Sequence, residues 1–383
     1  MDAPRLALVH DWLTGTRGGE KCLEPLCLHS PDARLYTLIH ASGKVSPAIE
    51  ALRPRTSFLQ FLPHVERYYR YLLPLMPAAV ESLRLHPCDL VVSLSHCVAK
   101  SARPPRGVPH VCYCFTPMRY AWHMRESYFG GGRLGLLKRR AIDGVLTRLR
   151  DWDRATADRV THFVAISRTV KARIRECYGR ESVVIYPPVD TDFYTPAAPM
   201  PTAREDFYLC VSAFAPYKRL DLALEACRRL RRRLIVIGAG QDAARLKARA
   251  GPDVTFLGWQ SDEIIRDHYR RCRALLFPGE EDFGIVPVEA MACGCPTIAF
   301  GRGGATETVC GMEAPAPTGI LFADQSVDCL IEAMEQFERS TSAFDPTAAR
   351  RQAVRFRKQR YEQELFGYLD DVLRGGKKMP LAA

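Results

Sequence analysis

The chain has 383 residues, enough for two or three domains with sizeable cores, and its 47% apolar and 25% charged content is ordinary for a globular protein. Its 54 lysines and arginines against 43 acids leave a formal charge of +11, which favours anionic partners: phosphorylated ligands, nucleic acid or an anionic membrane surface. No run of about 18 apolar residues is present, which excludes a spanning helix, and no nucleic-acid-binding motif accompanies the charge.

From Met1 the chain runs directly into a strand-like segment, residues 5–10, with no signal peptide pattern before it. Asp11-Trp12-Leu13-Thr14-Gly15-Thr16-Arg17-Gly18-Gly19-Glu20 follows and leads into a helical pattern over 21–27. Strand, glycine-rich loop and helix outline a Rossmann-type phosphate cradle, with Gly18 and Gly19 as the contact residues and a plain tight turn as the competing reading. Residues 34–38 read as a second strand. Residues 64–85 read as an aromatic, basic helical stretch interrupted at Pro74 and Pro77. There Arg67, Arg70 and Arg84 alternate with Tyr68, Tyr69, Tyr71, Leu72 and Leu73, which suits a helix packed on a sheet first and a lipid-headgroup surface second. Strands over 89–94 and 108–114 end at Ser95-His96 and at Phe115-Thr116-Pro117-Met118-Arg119-Tyr120. Ligands sit at the carboxyl ends of parallel strands, so His96, Thr116 and Arg119 are candidate ligand contacts. For His96 a purely structural role is an equal reading.

After Gly130-Gly131-Gly132, residues 134–158 read as a basic amphipathic helix. Lys138, Arg139, Arg140, Arg148 and Arg150 lie among Leu136, Leu137, Ile142, Val145, Leu146 and Leu149. A membrane-facing helix and a solvated basic face are both open. A strand over 162–166, a helix capped by Ser167 and a strand over 182–186 complete the first domain, residues 1–195. Pro187-Pro188 and the segment 196–201 break regular structure and mark the boundary. Asp190-Thr191-Asp192 has a metal-binding Asp-x-Asp spacing, yet it has no acidic company and reads as a turn and cap. The fourteen cysteines are scattered. Cys112/Cys114 and Cys293/Cys295 lack partner clusters at zinc spacing, so they read as small buried residues in a reducing cytosol, and no metal or cofactor is expected.

The second half repeats the alternation. Strands are expected over 207–212, 233–237, 254–257, 274–277, 297–300 and 319–322, and helices over 221–230, 262–271, 286–291 and 326–337. This is a second doubly wound α/β domain, residues 196–355, followed over 356–383 by a terminal helix and a disordered tail. Its centre is Pro278-Gly279-Glu280-Glu281-Asp282-Phe283-Gly284-Ile285, between strand and helix. The helix start welcomes an anion, and Gly284 lets backbone approach a ligand. Glu281 and Glu289 frame that start. Carboxylates accept hydrogen bonds from sugar hydroxyls, so the pair suits a ligand carrying both phosphates and hydroxyls.

Glu281, seven residues, then Glu289, with Phe283-Gly284 inside and Glu289-Ala290-Met291-Ala292, Gly294 and Pro296 at the end, resembles the signature of retaining glycosyltransferases of family 4. That family has the GT-B fold, two Rossmann-like domains facing a cleft, and uses nucleotide sugars. The resemblance covers nearly the whole chain and is strongest over 208–307. His10-Asp11-Trp12-Leu13 and Thr116-Pro117-Met118-Arg119-Tyr120 resemble bacterial polysaccharide and O-antigen mannosyltransferases.

The resemblance implies a metal-independent hexosyltransferase. Lys218 matches the diphosphate lysine, and Arg219 adds charge. Glu281 holds sugar hydroxyls near the reacting carbon and Glu289 the ribose. Phe283, Gly284 and Ile285 offer backbone N–H groups, and His96, Thr116 and Arg119 lie on the acceptor side. The favoured reaction moves mannose from GDP-mannose to a lipid-linked glycan, in the cytoplasm, with peripheral contact to an anionic membrane. A UDP-sugar donor is the alternative within the family. The pattern also fails in two places. Ser212-Ala213 stands where many members have Gly-Arg, and Phe115 stands where many have a histidine. Arg219 and either His96 or His123 are the stand-ins, and a catalytically silent nucleotide-sugar-binding protein is the reading from another class.

Overall fold

Segments such as Leu6-Ala7-Leu8-Val9 and Leu90-Val91-Val92 are apolar on both faces, and a strand of that kind is stable only when covered on both sides. The computed structural model describes residues 4–122, 136–199 and 204–375. The chain forms two compact units, Met1–Tyr186 with Glu362–Ala383, and Pro187–Tyr361.

The first unit is built on a seven-stranded sheet. Its strands are β1 (Leu6–His10), β2 (Arg34–Thr37), β3 (Arg55–Thr56), β4 (Leu90–Ser95), β5 (His110–Cys114), β6 (His162–Ala165) and β7 (Ser182–Val184). They pair in parallel in the order β3-β2-β1-β4-β5-β6-β7. β1, β4 and β5 are buried throughout. The order reverses between β1 and β4, and in open α/β sheets the carboxyl ends of the strands flanking such a reversal are where ligands bind.

Helix α1 (Gly18–His29) follows β1. It starts three residues before the expected position, so Gly18 and Gly19 are its first helical residues and not loop. The Arg17 N–H donates to the Glu20 carboxylate at 3.0 Å, which closes the first turn early. The single helical stretch expected over 64–85 is broken. It forms a turn at Val65–Tyr68, a tight 3-10 segment at Tyr69–Leu75 that holds Pro74, and a short helix at Met76–Ser82 that opens on Pro77. Proline cannot donate to the preceding turn, so a continuous α-helix is unavailable there. Tyr69, Leu73, Met76 and Val80 turn into the core, while Phe61 and Tyr71 remain 87% and 85% exposed.

Helix α2 (Leu136–Ala155) lays Leu146 and Leu149 into the same core, with Ile142 and Val145 packed beside them. Its apolar stripe from Ile142 onward is therefore used internally, and Arg140 and Arg148 face solvent. A buried Lys100–Asp153 ion pair at 3.0 Å ties α2 to the segment after β4. Asp153 also accepts from Trp122 Nε1 and the Tyr178 hydroxyl, both at 2.8 Å. α3 (Arg168–Tyr178) is capped by the Ser167 side chain as expected. The Gly130–Gly132 segment and His123 lie outside the described residues.

The second unit carries a six-stranded parallel sheet: β8 (Tyr208–Val211), β9 (Leu234–Ile237), β10 (Val254–Gly258), β11 (Leu275–Phe277), β12 (Thr297–Phe300) and β13 (Gly319–Phe322). The order is β10-β9-β8-β11-β12-β13, with its own reversal between β8 and β11. The longer helices are α4 (Leu220–Leu230), α5 (Ala243–Arg249), α6 (Asp262–Arg271), α7 (Ile285–Ala292), α8 (Val327–Arg339) and α9 (Pro346–Val354), with one further turn at Ala305–Thr308. α5 and α9 were not foreseen. The segment 187–199 lies on this unit. Tyr194 is buried, and Arg350 donates to the carbonyls of Thr191 and Tyr194. Asp190 accepts from the Phe193 N–H at 2.9 Å, a turn cap. The last helix, α10 (Lys358–Leu373), belongs to the first unit from Glu362 onward, where Phe366 stacks on His29 with centroids 4.0 Å apart.

Candidate active site

In the second unit the chemistry gathers where the strand order reverses. β8 delivers the loop that ends in a 3-10 turn at Pro216–Lys218, and β11 delivers the loop that carries Glu281. The two loops touch because residue 279 is glycine. A Cβ there would stand 2.9 Å from Lys218 Cα and 3.0 Å from the Tyr217 carbonyl oxygen, both backbone atoms. This approach puts Lys218 Nζ in a short ion pair with Glu281 Oε1, each side chain less than a fifth exposed. The ammonium also sits 5.1 Å from the Tyr217 ring centroid. The Gly304 N–H donates to the Glu281 carbonyl at 2.8 Å and fixes the loop from the β12 side.

Gly284, at φ +82°, caps α7 without any side-chain bond to the helix. The first N–H groups of a helix have no partner within it. Those of Ile285 and Val286 therefore open beside the Glu281 loop, with Pro287 in third place where it has no N–H to lose. Phe283 is buried against Phe356, with centroids 5.5 Å apart, so its ring anchors the loop. Glu289 lies on α7 at 6% exposure, and the Tyr269 hydroxyl is 3.5 Å from its Oε2. Burial first, and the Glu289 charge second, push the Tyr269 hydroxyl well above its ordinary range. Arg219 turns elsewhere. Its guanidinium bonds Asp221 and the Gln325 side-chain oxygen, each at 3.2 Å, and Gln325 in turn donates to the Pro278 carbonyl at 2.9 Å. Gln325 thus links Arg219 to the Glu281 loop, a role that nothing in its local pattern signals. Ala213 is exposed and carries no cation.

In the first unit the reversal between β1 and β4 is occupied by Asp11 and two histidines. Asp11 has no solvent exposure, yet four backbone N–H groups donate to it. Those of His96 and Cys97 reach Oδ2 at 2.7 and 3.0 Å, and those of Val98 and Ala99 reach Oδ1 at 2.7 Å. His96 Nδ1 lies 3.0 Å from the same Oδ2. Burial alone would raise this carboxyl; the His96 contacts outweigh it and hold it at about 2. His96 is pressed edge-on against Trp12, with centroids 4.5 Å apart, and lies 6.2 Å from the Phe115 ring. Thr116 is buried and its Oγ1 has no hydrogen-bond partner; Arg119 is half-buried. His10, the last residue of β1, completes the group at 6.5 Å from His96 and 6.4 Å from Phe115. His10 and Asp11 are further candidates that the sequence reading did not single out, although the strand-end logic that picks out His96 applies to both.

Two family models divide the chain between them. Residues 34–193 match the model described as Glycosyltransferase Family 4, and residues 199–359 match Glycosyl transferases group 1. The chain belongs to glycosyltransferase family 4. Among curated relatives, this family 4 chain is 29% identical over 223 residues to human alpha-1,3/1,6-mannosyltransferase ALG2, covering 50% of this chain and 52% of ALG2. It is 28% identical over 202 residues to the GDP-mannose-dependent alpha-(1-6)-phosphatidylinositol monomannoside mannosyltransferase of Mycobacterium tuberculosis, covering 45% and 51%. The chain thus spans about half the length of these relatives. Among solved structures, Anabaena HepE in complex with UDP and glucose superposes with a TM-score of 0.70 at 17% identity, over 96% of this chain and all of that one. The family 4 chain has the GT-B fold, two Rossmann-like domains with parallel sheets.

Proposed function

We propose that this family 4 glycosyltransferase moves a hexose from a nucleotide sugar to a hydroxyl of a lipid-linked glycan with retention of configuration, and that the donor is GDP-mannose. The observation that carries the reading is the Lys218–Glu281 pair beside the uncapped start of α7, at the reversal of the second sheet. A leaving nucleoside diphosphate needs positive charge aimed at its oxygens. Lys218 and the N–H groups of Phe283, Gly284 and Ile285 supply it. Glu281, released from Lys218 by the incoming diphosphate, accepts from sugar hydroxyls, and Glu289 accepts from the ribose. Arg219 adds field from its place on Gln325. Transfer breaks the bond from the anomeric carbon to the phosphate oxygen and forms the bond to the acceptor oxygen on the same face. The acceptor proton passes to the leaving phosphate oxygen. Gly18, Gly19, His96, Thr116 and Arg119 serve the sugar and acceptor in the first unit.

The mannosyl donor is supported by the descriptions of the human and mycobacterial relatives. A UDP-sugar is the second reading, favoured by the bound UDP of the HepE structure. No helix among the described residues is long and apolar enough to cross a membrane. The reading places the chain in the cytoplasm, resting on an anionic lipid surface through the exposed Phe58, Phe61, Leu62, Tyr71 and Leu75, with Arg67 and Arg70 among them.

Calorimetric titration of the purified chain with GDP, UDP and ADP, in the presence of chelator, tests the donor site. GDP is expected to bind selectively. Glu289→Ala is expected to weaken that binding by about tenfold or more, and Glu281→Ala to slow transfer while leaving GDP affinity within about threefold. Equal GDP affinity in wild type and Glu289→Ala removes the ribose assignment. Absence of binding by all three nucleotides removes the transferase reading.

A further inference from the structure

His10 ends β1 beside the reversal of the first sheet, and its two ring nitrogens are in different situations. Nδ1 lies 3.0 Å from the Trp12 carbonyl oxygen. A carbonyl only accepts, so Nδ1 carries the hydrogen. In the neutral ring Nε2 is then a lone-pair acceptor. Nε2 has no hydrogen-bond partner, although the residue is 1% exposed. It points at the first turn of α1. A Cβ built on Gly19 would stand 3.2 Å from Nε2 and 3.5 Å from the Phe115 ring, so any other side chain at 19 would cover this nitrogen. Gly18 and Gly19, as the first residues of a twelve-residue helix, present N–H groups that α1 itself leaves unused.

The surrounding charges select the ligand. The groups facing His10 are Glu20, Asp11 and His96. Two of these are buried carboxylates, each already engaged: Glu20 by the Arg17 N–H and Asp11 by its four backbone donors. Burial pushes the His10 imidazole below the usual histidine range, so the ring stays neutral at physiological pH. A phosphate would meet a lone pair and two carboxylates here. An uncharged alcohol is not repelled by them: its O–H donates to the lone pair and its oxygen accepts from an N–H.

We propose that His10 and the first turn of α1 form a hydroxyl site, in which Nε2 accepts from a sugar O–H while an N–H of Gly18 or Gly19 donates to the same oxygen. The site rests on the glycosyl-transfer reading for its choice of a sugar. It also supplies, from β1, the polar group that Phe115 lacks at the position where many family members carry a histidine.

The test uses the full chain and two substitutions that separate the nitrogens. In His10→Asn the side-chain amide nitrogen takes the place of Nδ1, which keeps the bond to Trp12 and removes Nε2. In His10→Gln the amide reaches the place of Nε2 and gives up the Trp12 bond. Each is titrated calorimetrically with methyl α-D-mannopyranoside as acceptor probe, with GDP-mannose and UDP-glucose as donors, and with bare GDP and UDP. His10→Asn is expected to bind one sugar class about tenfold more weakly, with bare nucleotides unchanged, and His10→Gln to stay within about threefold of wild type. Loss confined to the mannoside assigns the hydroxyl to the acceptor; loss confined to the nucleotide sugars assigns it to the donor. The proposal is overturned if His10→Asn binds every sugar as wild type does, if Asn retains binding while Gln loses it, or if wild type binds no sugar probe. Normal binding of bare nucleotide alongside any of these results leaves the donor site of the second unit intact, so the two readings fail separately.

Discussion

A carboxylate with no solvent exposure survives in a protein only when its hydrogen bonds replace those of water, and Asp11 is held in this way by four N–H groups and His96. Its carboxyl falls from an ordinary 3.8 to about 2 on folding. A depressed carboxyl stabilises the fold above its unfolded value and loses that contribution as pH drops through the folded one. Asp11 is therefore expected to contribute about 2 kcal/mol at neutral pH, lost between 3.8 and about 2. Asp11→Asn, followed by denaturant unfolding across pH 7 to 2, is expected to lose at least that much at pH 7 and to show a flatter acid limb. An unchanged acid limb would mean that other carboxylates carry it. The same substitution frees the His96 ring, so sugar binding is expected to weaken with it.

At the scale of loops and helices, the Lys218–Glu281 geometry depends on the approach of two loops at Gly279. In the sequence this glycine is only one residue of the stretch between strand and helix. Its real constraint is the Lys218 backbone, which is brought within 2.9 Å of the missing Cβ by the pairing of β8 with β11. Gly279→Ala is expected to push the loops apart at a cost of about 1–3 kcal/mol in stability. Because Lys218 and Glu281 then lose their register, transfer is expected to fall by about tenfold or more, while the circular dichroism spectrum stays the same. A variant with wild-type transfer would show that the loop contact is incidental. Helix α2 shows the opposite limit of local reading. Its basic, amphipathic pattern suits lipid, core or water equally. The core takes Leu146 and Leu149 because the sheet has a face there to be covered.

At the scale of the molecule, the proposed membrane contact requires the net charge of +11 and the exposed aromatic surface around Phe61 and Tyr71 to act together at an anionic membrane. Phe61→Asp combined with Tyr71→Asp is expected to weaken sedimentation with phosphatidylglycerol vesicles by about tenfold, and added salt to weaken that of wild type, with GDP affinity unchanged in both. Vesicle binding that is insensitive to the double substitution would move the contact elsewhere on the basic surface.

The alternation of apolar runs with amphipathic stretches was enough, by itself, to place most strands within a residue or two and to define two doubly wound sheets, because strand and helix periodicities are local properties. The composite around Glu281 and Glu289 was enough to name the family, because its residues are contiguous. The tertiary structure decided the rest. Lys218 and Glu281 meet through strand order, and Asp11 takes the N–H groups of residues 85 to 88 positions away. His10 becomes a site residue only when Gly19 and Phe115 close around it. Contacts of that kind are set by which strands become neighbours in a sheet, and no periodicity within one segment encodes that choice.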